Sequence, residues 1–262
     1  MRAQSVFTQP LVFGQFMGAL IPLCVALFFN ESSRWRIVAA CAFFGCLYGV
    51  YISTARSGLL VLLVASGIYA TLTFVNRFQY RWILLGGAAL LLLVLTISAS
   101  QAGDLLAEMI GHSTDNLNSA RYREIMLGLT FDRAAESPLI GYGDGSAKWL
   151  AGITIDHSGS LATIDSQYLS VLLHNGYPGL VLWVGFLVVL IMMAVRNALE
   201  GATPYIRAVN SAIAAYVAGM MVGFSVLSIE DNMVMVYLFA GIVMADRLST
   251  RSGPSRWERA VF

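Results

Sequence analysis

Long apolar runs broken by short polar stretches organise most of this chain. Apolar residues dominate from about residue 10 to residue 99, interrupted by breaks such as Asn30-Glu31-Ser32-Ser33-Arg34 and Ser53-Thr54-Ala55-Arg56-Ser57; the pattern resumes after residue 177. A helix needs about 20 residues to cross a ~30 Å hydrocarbon layer, and these runs reach that length without the alternating ten-residue strands of a barrel. They predict seven helical spans, near 11–29, 37–53, 57–75, 82–99, 178–195, 206–228 and 233–246. The expected fold is an all-α polytopic membrane protein of about seven transmembrane helices, with one large external loop containing short helices. Its parts are four spans in 1–99, the loop region 100–177, three spans in 178–246 and a basic tail, 247–262. No fixed-period repeat or low-complexity tract interrupts this plan. The first run is too long for a secretory signal and ends Phe28-Phe29-Asn30-Glu31, without a small-residue cleavage site.

Composition agrees with the pattern: 58% of residues are hydrophobic and 12% charged, with a mean hydropathy of +0.72. That excludes an ordinary soluble domain. Charge then orients the spans. Arg34 and Arg36, Arg77 and Arg81, Arg196 and Arg207, and the tail arginines Arg247, Arg251, Arg256 and Arg259 fall in alternate connections, which places that side in the cytoplasm. The opposite side receives the Arg56 break, the Glu230-Asp231 turn and the long connection 100–164, where acids outnumber Arg121, Arg123, Arg133 and Lys148. Cys24, Cys41 and Cys46 all lie within spans, so they are expected to be packed thiols without a disulfide.

Arg56 is out of place on this map. It stands on the face where cations are scarce, at the hydrocarbon boundary, with no acid in its own connection. Two readings follow: a snorkelling interface arginine, or a fixed cation for an anionic ligand. Glu230 and Asp231 lie on the same face and offer it an ion pair as a third account.

The long connection holds the other candidates. Residues 118–138 read as a helix with an Asn118 or Ser119 cap, an apolar stripe through Tyr122, Ile125, Met126 and Leu129, and a stop at Ser137-Pro138. Arg121 falls in its first turn, where the helix dipole disfavours a cation, so surface pairing and ligand binding are both open. Arg123 fits a solvated face. The stretch Pro138-Leu139-Ile140-Gly141-Tyr142-Gly143-Asp144-Gly145 predicts a tight turn, for no nucleotide-binding fingerprint surrounds its glycines. Asp165 or Ser166 then caps a short helix through Tyr168, Leu169, Leu172 and Leu173; Asn175-Gly176 ends it and Pro178 opens the next span. His112, His157 and His174 have no metal-ligand spacing, so no metal or cofactor is expected. His157, eight residues before Asp165, reads as a solvated histidine or a weaker candidate base.

In order, "FTQPLVFGQFMGALIPLCVALFF", "STARSGLL", "SARYREIMLGLTFDRAAESPLIGYGDG" and "IDSQYLSVLLHNGYPGLVLWVGFL" resemble the bacterial O-antigen ligase and polymerase family of the inner membrane. The resemblance implies a metal-independent glycosyltransferase at the periplasmic face, with an undecaprenyl-diphosphate-linked oligosaccharide as donor and a glycan as acceptor. Arg56 and Arg121 correspond to the arginines that bind the diphosphate, with Arg123, Tyr168, Glu230 and Asp231 as secondary candidates. Ligases carry a His-Asn pair where this chain has Asp165-Ser166. Asp165 thereby becomes the candidate base, unless it is only a cap, and a polymerase is favoured over a ligase. The implied partners are the lipid bilayer and other polysaccharide-assembly proteins, with no nucleic acid; a non-catalytic transporter or accessory subunit is the reading from another class. Family members usually have about a dozen spans, so the chain matches their later part; a truncated start, a naturally short relative and a degenerate copy all fit.

Overall fold

The computed structural model describes residues 10–75, 127–145, 166–226 and 233–252. They form seven helices: α1 (Pro10–Asn30), α2 (Ser33–Ser53), α3 (Arg56–Val75), α4 (127–136), α5 (Gln167–Glu200), α6 (Pro204–Val226) and α7 (Met233–Ser252). Five of these, α1, α2, α3, α5 and α6, are long and apolar enough to cross a membrane, so the chain is a polytopic helical membrane protein. The predicted span 82–99 lies outside the described residues, and α7 covers the predicted seventh. α2 begins four residues earlier than its apolar run suggests, taking Arg34 and Arg36 into its first turn. α5 joins two elements predicted as separate, a short loop helix and the span beginning at Pro178.

The described residues divide into two compact units. One holds α1–α3, α5 from Leu187, α6 up to Met220, and α7; the other holds the 127–145 segment, the first part of α5 and the end of α6.

In the first unit α1 packs against both α2 and α3, which hardly touch each other. Lipid tails are as apolar as leucine, so burial drives little helix association in a bilayer, and close van der Waals approach must supply it. Small residues permit that approach. Gly14 and Gly18, one turn apart on α1, face Gly58 of α3: a Cβ on Gly18 would stand 2.6 Å from the Gly58 carbonyl oxygen, and one on Gly58 would stand 2.8 Å from the Gly14 carbonyl carbon. α2 turns Trp35, Phe44, Tyr48 and Tyr51 outward, as suits a helix bordering lipid. Cys24 and Cys46 pack with Ile21. Cys41, expected to be packed like them, is exposed instead, because only one face of α2 meets α1.

α6 is the most enclosed helix. Ile213, Tyr216 and Met220 are fully buried; Tyr216 meets Phe239 of α7 edge-on at 4.9 Å, and Gly219 lies against Ala65 and Val61 of α3. Three helices are also tied by amides. Asn197 of α5 donates to Asn210 Oδ1 of α6 (3.2 Å) and to the Val243 carbonyl of α7 (2.9 Å). Asn210 donates to the Asp246 carboxylate of α7 (2.7 Å) and to the Ile206 carbonyl (2.9 Å). Each such bond between spans contributes about 0.6 kcal/mol, and together they fix the rotation of α5, α6 and α7.

Candidate functional site

The α2–α3 break is a turn rather than a loop. Thr54 takes the left-handed conformation (φ 50°, ψ 19°), and its N–H donates to the Tyr51 carbonyl. The Ser53 hydroxyl donates to the Val50 carbonyl (2.8 Å) and accepts from the Ala55 N–H (3.3 Å); the Gly58 N–H then donates to the Ala55 carbonyl (3.0 Å). The side chain of Ser53 thus does what a water molecule would do at an exposed helix end. A Cβ on Gly14 would run into that hydroxyl, so the glycine of α1 is what lets the turn dock.

Arg56 is the first residue of α3 and is exposed. No acidic side chain among the described residues pairs with it. Beside it the geometry leaves hydrogen-bonding capacity unused: Gln15, with no solvent exposure, and the Ser57 hydroxyl have no partner among the described residues. Gln15 and Ser57 each adjoin one member of the Gly14–Gly58 contact. A buried polar group without a partner costs about 1–3 kcal/mol, and such groups collect at functional positions. Neither stood out in the sequence reading, although a lone amide inside the first apolar run was the available signal.

The second helix interruption is a kink with a strap over it. α4 ends at Glu136, as the Ser137-Pro138 stop predicts, and the chain turns through Gly141 (φ 69°), Gly143 (φ 86°) and Gly145 (φ 76°). α5 is interrupted at Gly176 (φ 67°, ψ −172°). The strap closes this interruption with backbone bonds: Tyr142 N–H donates to the Leu173 carbonyl (2.8 Å), Gly143 N–H to the His174 carbonyl (3.0 Å), and Tyr177 N–H to the Pro138 carbonyl (2.9 Å). Glycine is required twice over at 141 and 176. Both need positive φ, and a Cβ at either would stand 2.6 Å from the opposing backbone. His174 Nδ1 lies 3.4 Å from the Asp144 carboxylate. The Tyr142 hydroxyl donates to Glu136 (2.9 Å), which Arg133 also contacts (3.0 Å). These two contacts, Tyr142 first, hold the Glu136 carboxyl below its ordinary range.

Tyr168 lies in the first turn of α5. Its hydroxyl donates to the Met221 carbonyl of α6 (2.8 Å), and its ring meets Trp183 edge-on at 5.4 Å, which in turn meets Phe224 at 5.3 Å. Of the candidate residues, the structure therefore describes Arg56 and Tyr168: one is exposed, the other bonded to a neighbouring helix. Arg121, Arg123, His157, Asp165, Glu230 and Asp231 lie outside the described residues. Among the described residues no three His, Cys, Asp or Glu side chains converge to hold a metal ion.

Apolar spans, a glycine-packed break bearing an exposed arginine and a strapped helix kink define a membrane-embedded helical protein. The sequence model of the O-antigen ligase family matches residues 41–184, which include both interruptions, and the chain belongs to that family. No curated protein matches significantly, nor does any solved structure.

Proposed function

We propose that this chain is a glycosyltransferase of surface-polysaccharide assembly in the bacterial inner membrane, with residues 100–177 periplasmic and the C-terminus cytoplasmic. Family membership supports the role in polysaccharide assembly. The observation that carries the chemistry is Arg56, exposed at a helix start with no acid beside it among the described residues. In this reading Arg56 and Arg121 hold the diphosphate of an undecaprenyl-linked glycan, with Arg123, Tyr168, Glu230 and Asp231 in secondary positions. Guanidinium forks stay charged at any working pH and stabilise the negative charge that gathers on the leaving diphosphate, a task a metal performs elsewhere. Asp165, or with less support His157, takes the proton of the acceptor hydroxyl as that oxygen attacks the anomeric carbon with inversion.

Polymerisation is the preferred reaction because an aspartate replaces the ligase His-Asn pair at Asp165-Ser166. Ligation to a lipid A core or a protein is the second reading, favoured by the description of the matched family. Purified protein given a lipid-linked repeat unit should lengthen the glycan if it polymerises; transfer confined to a lipid A core or a protein marks a ligase. Lipid-linked glycan that is bound or exported with no new glycosidic bond would overturn the transferase reading in favour of a carrier. Arg121→Lys should lower turnover about tenfold, since lysine cannot form a bidentate pair with a phosphate.

A further inference from the structure

A groove lies where the last turns of α1 and α3 meet the first turns of α6, away from the α2–α3 break. Its volume is about 610 Å³, and its walls include Phe29 from the end of α1, Tyr69 and Phe74 from the last turns of α3, and Arg207, Ala208 and Ser211 from the first turns of α6. A volume of that order suits a small-molecule site.

The hydroxyls and the amide in the walls are already engaged by their own helices. Ser211 donates to the Arg207 carbonyl (2.8 Å), Thr73 to the Tyr69 carbonyl (2.8 Å) and Asn30 to the Ala26 carbonyl (2.8 Å). The Tyr69 hydroxyl is engaged with Thr73. What remains is an apolar wall with one cation, Arg207, at its end. No carboxylate lines the groove among the described residues. The acid nearest in sequence, Glu31, contacts the Ser32 N–H and Tyr205. Phe29 and Phe74 are largely exposed, so the aromatic side of the groove is open at the helix surface, where a bilayer would meet it. An apolar trough that opens to lipid and ends in a guanidinium at the membrane edge matches an amphiphile with a negative head and a hydrocarbon tail. A soluble anion would leave the apolar walls without purpose, and an uncharged lipid would leave the guanidinium without one.

We propose that this groove seats an anionic phospholipid, its phosphate on Arg207 and an acyl chain along Phe29, Tyr69 and Phe74. The proposal does not depend on the transferase reading. Full-length protein equilibrated with equal phosphatidylglycerol and phosphatidylcholine, then examined by native mass spectrometry, should retain phosphatidylglycerol about tenfold more. Arg207→Gln should abolish that preference while some lipid remains bound, and Arg207→Lys should keep most of it. Ala208→Trp, which narrows the groove, should reduce retention of both lipids. Arg34→Gln, on an exposed arginine at the same helix ends, should change nothing, and thermal melting of each variant separates loss of lipid from loss of fold. Three results overturn the proposal: Arg207→Gln with the wild-type preference, Arg34→Gln removing that preference equally, or millimolar inorganic phosphate displacing phosphatidylglycerol.

Discussion

Among the described residues of the matched region the helices are interrupted at two places, and the two interruptions are finished differently. At Gly176 the groups freed by the kink are taken up by other backbone groups, from Pro138 to Gly143, and no charged side chain is needed. At Thr54 the turn is closed by its own Ser53, while an exposed arginine and two buried polar side chains, Gln15 and Ser57, have no side-chain partner among the described residues. A break that is fully satisfied internally is a piece of architecture. A break in a membrane protein that keeps a cation and spare hydrogen-bonding groups carries a cost that packing does not explain, and the proposed diphosphate would offset it.

Substitutions can break this contrast. The largest effect on stability is expected at the strapped kink: Gly176→Val imposes positive φ on a β-branched residue and drives its Cβ into the Pro138 carbonyl, for a loss of about 3 kcal/mol in detergent unfolding. A melting temperature equal to wild type would show that the strap does not hold the kink. Arg56→Lys should do the reverse, lowering turnover about 100-fold, or about 2.7 kcal/mol in the transition state, with no change in melting. Unchanged turnover returns Arg56 to a snorkelling role.

Ser57→Ala sharpens the comparison further. Removing a hydroxyl without a partner should leave stability within about 0.5 kcal/mol, whereas a ligand bond of ~1 kcal/mol would lower turnover about fivefold. A clear loss of stability would mean that the hydroxyl serves packing after all. The smallest effect is expected from acid. Because Tyr142 and Arg133 depress the folded-state pKa of Glu136, its contribution is fully present above the ordinary carboxylate range and fades as pH falls through the lower folded value. Exchange of the Tyr142 and Gly143 amides, corrected for intrinsic rates, should therefore rise slightly on acidification, and Glu136→Gln should abolish the response. Identical pH profiles in the two proteins would detach Glu136 from the strap.

Much of this architecture was legible in the order of residues. Apolar runs announced α1, α2 and α3 to within a few residues, since a bilayer demands length and little else of a span. Ser137-Pro138 marked the end of α4, and the glycines after it marked a turn, because both act through local backbone geometry. What the turn docks on was not legible. That Gly141 and Gly176 face each other is a contact between distant segments, and only Asn175-Gly176 as a helix end hinted at one half of it. The glycine contact of α1 with α3 and the amides of Asn197 and Asn210 were likewise present in the sequence as small or polar residues inside apolar runs, but their partners depend on how the helices rotate. Arg56 stood out because it violated a charge pattern, and Tyr168 because it matched a family motif; the bond from Tyr168 to Met221 required the structure.

The amide cluster has a consequence for how the protein is made. If α7 spans the membrane, as the sequence predicts, Asp246 brings a carboxylate to the end of a helix that must leave the translocon for lipid, a step that resists buried charge. Its bond from Asn210 means that α7 need not enter alone: α6, already committed, offers the acceptor its donor as the hairpin forms. Integration of the C-terminus should then depend on the preceding helix, and a glycosylation reporter fused after Ser252 should reveal mixed topology in Asn210→Leu and a single topology in the wild type.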